Sequence, residues 1–196
     1  VHLNEYTDYV NSGKYTCGGV QNRLEPVYNE LCGKTWGIIG YGGIGKKVAE
    51  IAKALGCNVI VNKITPVEDV ECVTAEELCK RADIITIHTP LNESTKHLID
   101  SNLISMMKSH VIIVNVARGA VVDESAVADA VISGKIGAFG CDVYSVEPFT
   151  SEHPYNRIKG LKNVHLTPHM AWGAYEARNR CLAEVAENIR AYFIGE

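Results

Sequence analysis

Three short segments of this sequence carry side chains that together could reduce a carboxylate-bearing ketone. Asn115-Val116-Ala117-Arg118-Gly119 ends an apolar run, Asp142-Val143-Tyr144-Ser145-Val146-Glu147-Pro148 follows a second, and Thr167-Pro168-His169-Met170-Ala171-Trp172 follows a third. Such a reaction needs a hydride donor, a proton for the forming alkoxide, and a cation for the substrate's carboxylate and carbonyl. Arg118 offers the cation as a bidentate fork. His169 offers the proton. Glu147 is the carboxylate that would orient the imidazole and steady its charge. Each has a plainer reading alone, Arg118 as a structural cation and His169 as a core histidine. Their matched positions after three apolar runs favour the chemical one.

The hydride donor has its own signature. Gly40-Tyr41-Gly42-Gly43-Ile44-Gly45 is a GxGxxG turn, set between an apolar run and a helical pattern, as a dinucleotide site requires. Gly40 would permit the tight turn and Gly42 the approach of a pyrophosphate. Gly45 would let helix and strand pack closely. Amides near Gly43 and Ile44, at the helix start, would hold the phosphates. The next strand should end in an acidic residue for the ribose hydroxyls, but it ends Val61-Asn62-Lys63, with no carboxylate before Glu68. A cation there cannot accept hydrogen bonds from ribose, though it could pair with a 2′-phosphate. Lys63 therefore either shifts preference from NAD towards NADP or simply points into solvent.

The elements that must position these residues follow from the apolar pattern. Strands are predicted at 35–39, 58–61, 84–88, 111–116, 136–143 and 163–166. Helices are predicted at 46–55, with Val48, Ile51, Ala52 and Leu55 buried, and at 75–81, 101–107 and 124–133. A last amphipathic helix at 175–193 should bury Leu182, Val185, Ala186, Ile189 and Phe193. The alternation predicts an α/β fold, a doubly wound parallel sheet with helices on both faces. The run 111–114 is apolar on both faces, as a covered parallel strand should be. In such sheets ligands bind beyond the carboxyl ends of the strands, which brings Arg118, Glu147 and His169 to one rim. Residues 1–30 read as an arm or connector with one helix at 3–10, carrying Gly13, Gly18, Gly19 and Pro26; residues 31–196 read as the dinucleotide-binding domain.

Composition narrows the rest. The chain has 196 residues and a net charge of −4, with mixed charges and no basic stripe, which argues against nucleic acid. No apolar run reaches the ~20 residues of a membrane span. The start, Val1-His2-Leu3-Asn4-Glu5, is polar and unlike a signal peptide; it also lacks Met, suggesting a chain cut from something longer. Seven cysteines without a CxxC pair read as buried, reduced thiols of a cytoplasmic protein. No His or Cys pair has metal-ligand spacing, so no metal is expected. His97, His110 and His153 read as surface residues, His165 as a strand residue pointing sideways, and His88 as a contributor of backbone.

With these segments in place, the sequence resembles the D-isomer-specific 2-hydroxyacid dehydrogenases. The resemblance rests on Gly33–Gly45, on His88-Thr89-Pro90-Leu91-Asn92-Glu93-Ser94-Thr95, on 114–124 and on Thr167-Pro168-His169. It implies a Rossmann-like NAD(P)-binding domain with Arg118, Glu147 and His169 as the catalytic trio. It also implies that Asp142 holds the nicotinamide carboxamide, and that Thr89, Pro90, Thr95, Val116 and Ala117 line the cofactor. Formate dehydrogenases of this superfamily carry Gln where Glu147 stands. The stretch 169–178 is similar to glycerate/hydroxypyruvate reductases. The resemblance further implies a 2-keto or 2-hydroxy acid substrate, a homodimer formed with the 1–30 arm, and a substrate domain that this chain lacks. The isolated domain should then turn over poorly, because positioning and water exclusion are lost. C-terminal-binding-protein corepressors, which share the fold and a similar trio, leave a nucleotide-sensing module as the alternative.

Overall fold

The computed structural model describes residues 2–18 and 21–195; of the arm's glycines, Gly19 lies outside the described residues. The chain divides into two units, Val1–Cys32 and Gly33–Glu196. In the first, helix α1 (Leu3–Asn11) is one residue longer than expected. A four-residue helix α2 (Lys14–Cys17) follows, which no periodicity announces. The Tyr6 hydroxyl donates to the Pro26 carbonyl at 2.7 Å. No described residue of this unit is buried.

The second unit is built on seven parallel strands in the order β3-β2-β1-β4-β5-β6-β7. They are β1 (Thr35–Ile39), β2 (Asn58–Asn62), β3 (Glu71–Cys72), β4 (Ile84–Ile87), β5 (Val111–Asn115), β6 (Ile136–Cys141) and β7 (Val164–Leu166). Register runs Ile39↔Ile87 and Ile87↔Asn115, then Asn115↔Cys141 and Cys141↔Leu166. The carboxyl ends of β1, β4, β5, β6 and β7 therefore lie level along one rim. Helices α3 (Gly43–Ala54), α4 (Ala75–Arg81), α5 (Ser101–Met106) and α6 (Glu124–Ile132) connect them, and α7 (Tyr175–Ile194) closes the chain. Thr74, Asp100 and Asp123 cap α4, α5 and α6 with side-chain oxygens, each occupying amide donors the helix cannot satisfy itself.

A Cβ on Gly37 would strike Leu78 of α4 and Ala82 just after it, whereas one on Gly45 of α3 approaches Ile38. Neighbouring strand residues point to opposite faces, so α3 and α4 sandwich β1. On the α4 side, Ile85, Ile87, Ile113, Ile136 and Phe139 pack with Leu103, Ile104, Val127 and Val131 into the main core.

Four expectations about burial are corrected. α3 buries Gly45, Ala49 and Ala52, while Ile51 and Leu55 are exposed. The small residues let the helix approach the sheet, and its larger apolar side chains are displaced to the flank. β5 is covered on one face only: Val111 and Ile113 are sealed, but Ile112 is 39% exposed, since no helix of the second unit seals the opposite face there. α7 buries nothing: Leu182 is 67% and Phe193 80% exposed, because its apolar stripe finds no surface to cover. Among the cysteines only Cys57, Cys79 and Cys141 are buried, and none of the seven is in a disulfide.

Candidate active site

The glycine-rich turn joins β1 to α3. Gly40 has φ +92°, and a Cβ there would come within 2.6 Å of the Thr89 amide nitrogen. The ends of β1 and β4 thus meet with room only for hydrogen. A Cβ on Gly45 would lie 2.2 Å from the Gly40 carbonyl oxygen. Gly42 and Gly43, in contrast, face open space. Together with Ile44 they present the first amides of α3, which have no carbonyl partner within the helix. This is a bare backbone cradle of the kind that holds phosphate.

Lys63 follows the end of β2, half-buried. It borders an open groove of about 630 Å³ lined also by Asn62, Pro66, Val73, Thr74 and Glu77. Further along the rim, Thr89 and Pro90 follow β4. Thr95 is buried, its hydroxyl donating to the Pro90 carbonyl at 2.7 Å and accepting the Asn92 N–H at 2.8 Å. It shapes the loop from within.

At the end of β5, the fully buried Asn115 accepts the Ala117 N–H at 3.0 Å and donates to the Arg118 carbonyl at 3.0 Å. That side chain turns the backbone so that Val116 and Ala117 are half-buried and Arg118 stands exposed, with Nη1 donating to the Ala117 carbonyl at 2.7 Å. Next to it, Gly119 packs against the Tyr144–Ser145 backbone.

Glu147 and His169, 22 residues apart, meet with Nδ1 2.6 Å from Oε2. The other Glu147 oxygen accepts the Tyr144 N–H at 2.8 Å. Burial raises the Glu147 pKa, but the hydrogen bonds from His169 and Tyr144 outweigh it, and the net pKa lies below the ordinary carboxylate value. Glu147 is therefore ionised at neutral pH, and its Oε2 accepts from His169 Nδ1–H, which makes Nε2 the other ring nitrogen. Asp142, buried at the end of β6, accepts the Thr167 hydroxyl, the Met170 N–H at 2.9 Å and the Ala171 N–H at 2.8 Å. Burial raises its pKa too, yet these donors and the nearby imidazole lower it on balance. Asp142 thus clamps the loop that carries His169, whose own φ is +50°.

Arg118, Glu147 and His169 thus follow β5, β6 and β7, three adjacent strands, on the rim that also holds the glycine turn. Among the described residues no three His, Cys, Asp or Glu side chains group so as to hold a metal ion, and no helix is long and apolar enough to cross a membrane. His97, His110 and His165 are exposed. His153 is not a surface residue: it is buried beside Glu124, with Nε2 3.0 Å from Oε2. Sequence reasoning also passed over Asn115, Glu124, Tyr144 and Ser145 as supports. Only Asn115, directly before the Val-Ala-Arg run, carried a local signal.

The family model described as the D-isomer specific 2-hydroxyacid dehydrogenase NAD binding domain matches residues 1–171. A hydroxypyruvate reductase of Thermotoga maritima is 40% identical over 191 residues, which is 96% of this chain and 60% of that protein. The structure of a D-lactate dehydrogenase from Aquifex aeolicus, complexed with NAD and lactic acid, aligns with a TM-score of 0.85 and 30% identity over 99% of this chain and 62% of its own. An acyclic imino acid reductase in complex with NADPH and D-Arg aligns at 0.80, with 34% identity over 96% and 60%. The chain therefore spans about three fifths of these proteins. From the glycine turn to the His169 loop, the chain belongs to the D-isomer-specific 2-hydroxyacid dehydrogenase family, as its NAD-binding domain.

Proposed function

We propose that this chain is the dinucleotide-binding part of an enzyme that interconverts a 2-keto acid and a D-2-hydroxy acid, glyoxylate and hydroxypyruvate being the first substrates to try. The 2.6 Å contact between Glu147 and His169, on the same rim as the glycine turn and Arg118, carries this reading. The open cradle at Gly42 and Gly43 suits a pyrophosphate, with Thr89, Pro90, Val116 and Ala117 along the rest of the groove and Asp142 beside the nicotinamide end. When bound, the reduced dinucleotide supplies the hydride. Arg118 pairs with the substrate carboxylate and polarises its carbonyl. His169 gives a proton from Nε2 to the forming alkoxide, while Glu147 keeps the ring oriented and stabilises the imidazolium. Covering the substrate falls to a part beyond these residues, so the chain alone turns over slowly.

The test is to titrate the chain with NADH and NADPH by fluorescence, and to assay reduction of glyoxylate, hydroxypyruvate and pyruvate by the chain extended with the matching segments of the Thermotoga maritima relative. His169→Gln should keep dinucleotide affinity and lose turnover by about 10²-fold or more. Turnover unaffected by His169→Gln would refute the assignment. Lys63 supports tolerance of a 2′-phosphate; a large NADH preference would refute that part. The first unit, none of whose described residues is buried, supports a homodimer in which it covers a second copy, which sedimentation equilibrium would show.

A further inference from the structure

The loop bearing Glu147 is tied down by a buried pair outside the reacting groups. Glu124, the first residue of α6, is 9% exposed and His153 is 8% exposed. Glu124 Oε1 accepts the Ser145 N–H at 2.9 Å; Oε2 accepts the Ser145 hydroxyl and lies 3.0 Å from His153 Nε2. His153 Nδ1 accepts the Tyr155 N–H at 3.2 Å, capping the 3₁₀ turn Pro154–Arg157. In the neutral ring the proton then sits on Nε2, facing the carboxylate. A buried carboxylate is costly unless its lone pairs are filled; Ser145 donates to each oxygen, and His153 Nε2 lies against Oε2 without completing a hydrogen bond.

Tyr144 passes this anchoring on. Its ring packs edge-on against His153, with centroids 5.9 Å apart at 89°. Its amide donates to Glu147 Oε1, and its hydroxyl donates to the Thr167 carbonyl at 2.8 Å, two residues before His169. One residue therefore touches both arms of the acid–base pair, and it is held from below by Glu124 and His153.

We propose that Glu124 and His153 are positioning residues that fix the Tyr144–Ser145 backbone, so that Glu147 and His169 meet in a single geometry. The proposal rests on the acid–base role given to that pair above. The competing account makes His153 only a cap and a core filler.

Two substitutions separate the accounts. In His153→Asn the amide oxygen takes the place of Nδ1 and still caps the turn, but nothing reaches Glu124. In His153→Gln the amide nitrogen takes the place of Nε2 beside Glu124, but the Tyr155 N–H is uncapped. The readouts are the carboxyl titration of ¹³C-labelled Glu147 by NMR, NADH affinity, and 2-keto acid turnover. His153→Asn should raise the Glu147 pKa as the Tyr144 N–H pulls away, and cut kcat about tenfold without changing NADH affinity. His153→Gln should melt earlier yet titrate at Glu147 as the parent does. Should His153→Asn misfold, Glu124→Gln replaces it: its amide opposes the His153 Nε2–H, and Glu147 should again titrate higher. Parent-like Glu147 titration in His153→Asn and Glu124→Gln overturns the proposal, and so do shifts that simply follow lost stability. An extended parent, built as above, that reduces no 2-keto acid would sink the functional reading instead, leaving the Glu147 titration to decide this one.

Discussion

Replacing Gly119 by Ala asks whether the Tyr144–Ser145 backbone sets the acid–base geometry. The added Cβ would sit 1.9 Å from the Tyr144 carbonyl carbon and 2.2 Å from the Ser145 nitrogen. Ordinary carbon contacts are about 3.5–4.0 Å, so the two backbones must part by roughly 1.5–2 Å. Neither side yields freely. Arg118, before Gly119, is held by Asn115, and Ser145 is held by Glu124. Overpacking of this kind costs about 1–3 kcal/mol of stability, more than the ~0.4–1 kcal/mol that Gly→Ala gains through the unfolded chain. The larger effect is on chemistry: a 1 Å misplacement costs about 10²-fold, near 3 kcal/mol of barrier. Gly119→Ala should therefore bind NADH like the parent, lose about two orders of magnitude in 2-keto acid turnover, and show a raised Glu147 pKa as the Tyr144 amide moves away. Parent-like turnover and Glu147 titration in a folded Gly119→Ala protein would refute the reasoning.

Gly45→Ala places a methyl 2.2 Å from the Gly40 carbonyl oxygen, and the resulting ~1–3 kcal/mol should weaken NADH binding about tenfold or more in a fluorescence titration, with helix content unchanged. At the opposite end of the sheet, Asp83 accepts the Thr35 N–H and pairs with Lys108 and His110. Burial works against these contacts, but they hold its pKa down at about 2 against an ordinary 3.8. The folded pKa lies below the unfolded one, so about 2 kcal/mol of stability is present above pH 4 and fades as pH falls towards 2. Urea unfolding of Asp83→Asn should show that deficit at pH 7, and the gap to the parent should close between pH 4 and 2. Lys63→Asp should move preference towards NADH about tenfold, one charged hydrogen bond's worth, as read from the ratio of NADH to NADPH affinities.

The strands were legible because a parallel strand buried in an α/β sheet reads as a short apolar run. β1 and α4 begin and end where the pattern puts them, α3 begins three residues earlier, within the glycine turn, and the other large elements differ by one or two residues. β3 was not legible: two residues, Glu71 and Cys72, pair with β2 and have no period to detect. Burial was the weaker inference, because a pattern says which face is apolar and not whether anything covers it; Ile112 and the stripe of α7 show the difference. Arg118, Glu147 and His169 stood out because each follows a strand. Glu124 and His153 did not, since they meet across 29 residues of chain, between segments that look like a helix start and a polar loop. Polar residues buried by tertiary contact have no periodic signature.

The two halves of the site are held by different physics. The cradle at Gly40–Gly45 is made by absence: any Cβ on Gly40 or Gly45 would collide with backbone, and the open flank at Gly42 and Gly43 leaves amides bare. The Glu147–His169 half is made by presence, with two buried carboxylates using both oxygens on the loops that carry Glu147 and His169. Asp142 grips the His169 loop on both flanks, at Thr167 and at Met170 and Ala171. That grip offsets the ~1–3 kcal/mol of strain a non-glycine residue carries at φ +50°, since hydrogen bonds to an ionised group contribute ~1.5–3 kcal/mol each. Without it the backbone at His169 would relax to negative φ and turn the imidazole from Glu147. The position of His169, the proposed proton donor, is thus set by the carboxylate at the end of β6.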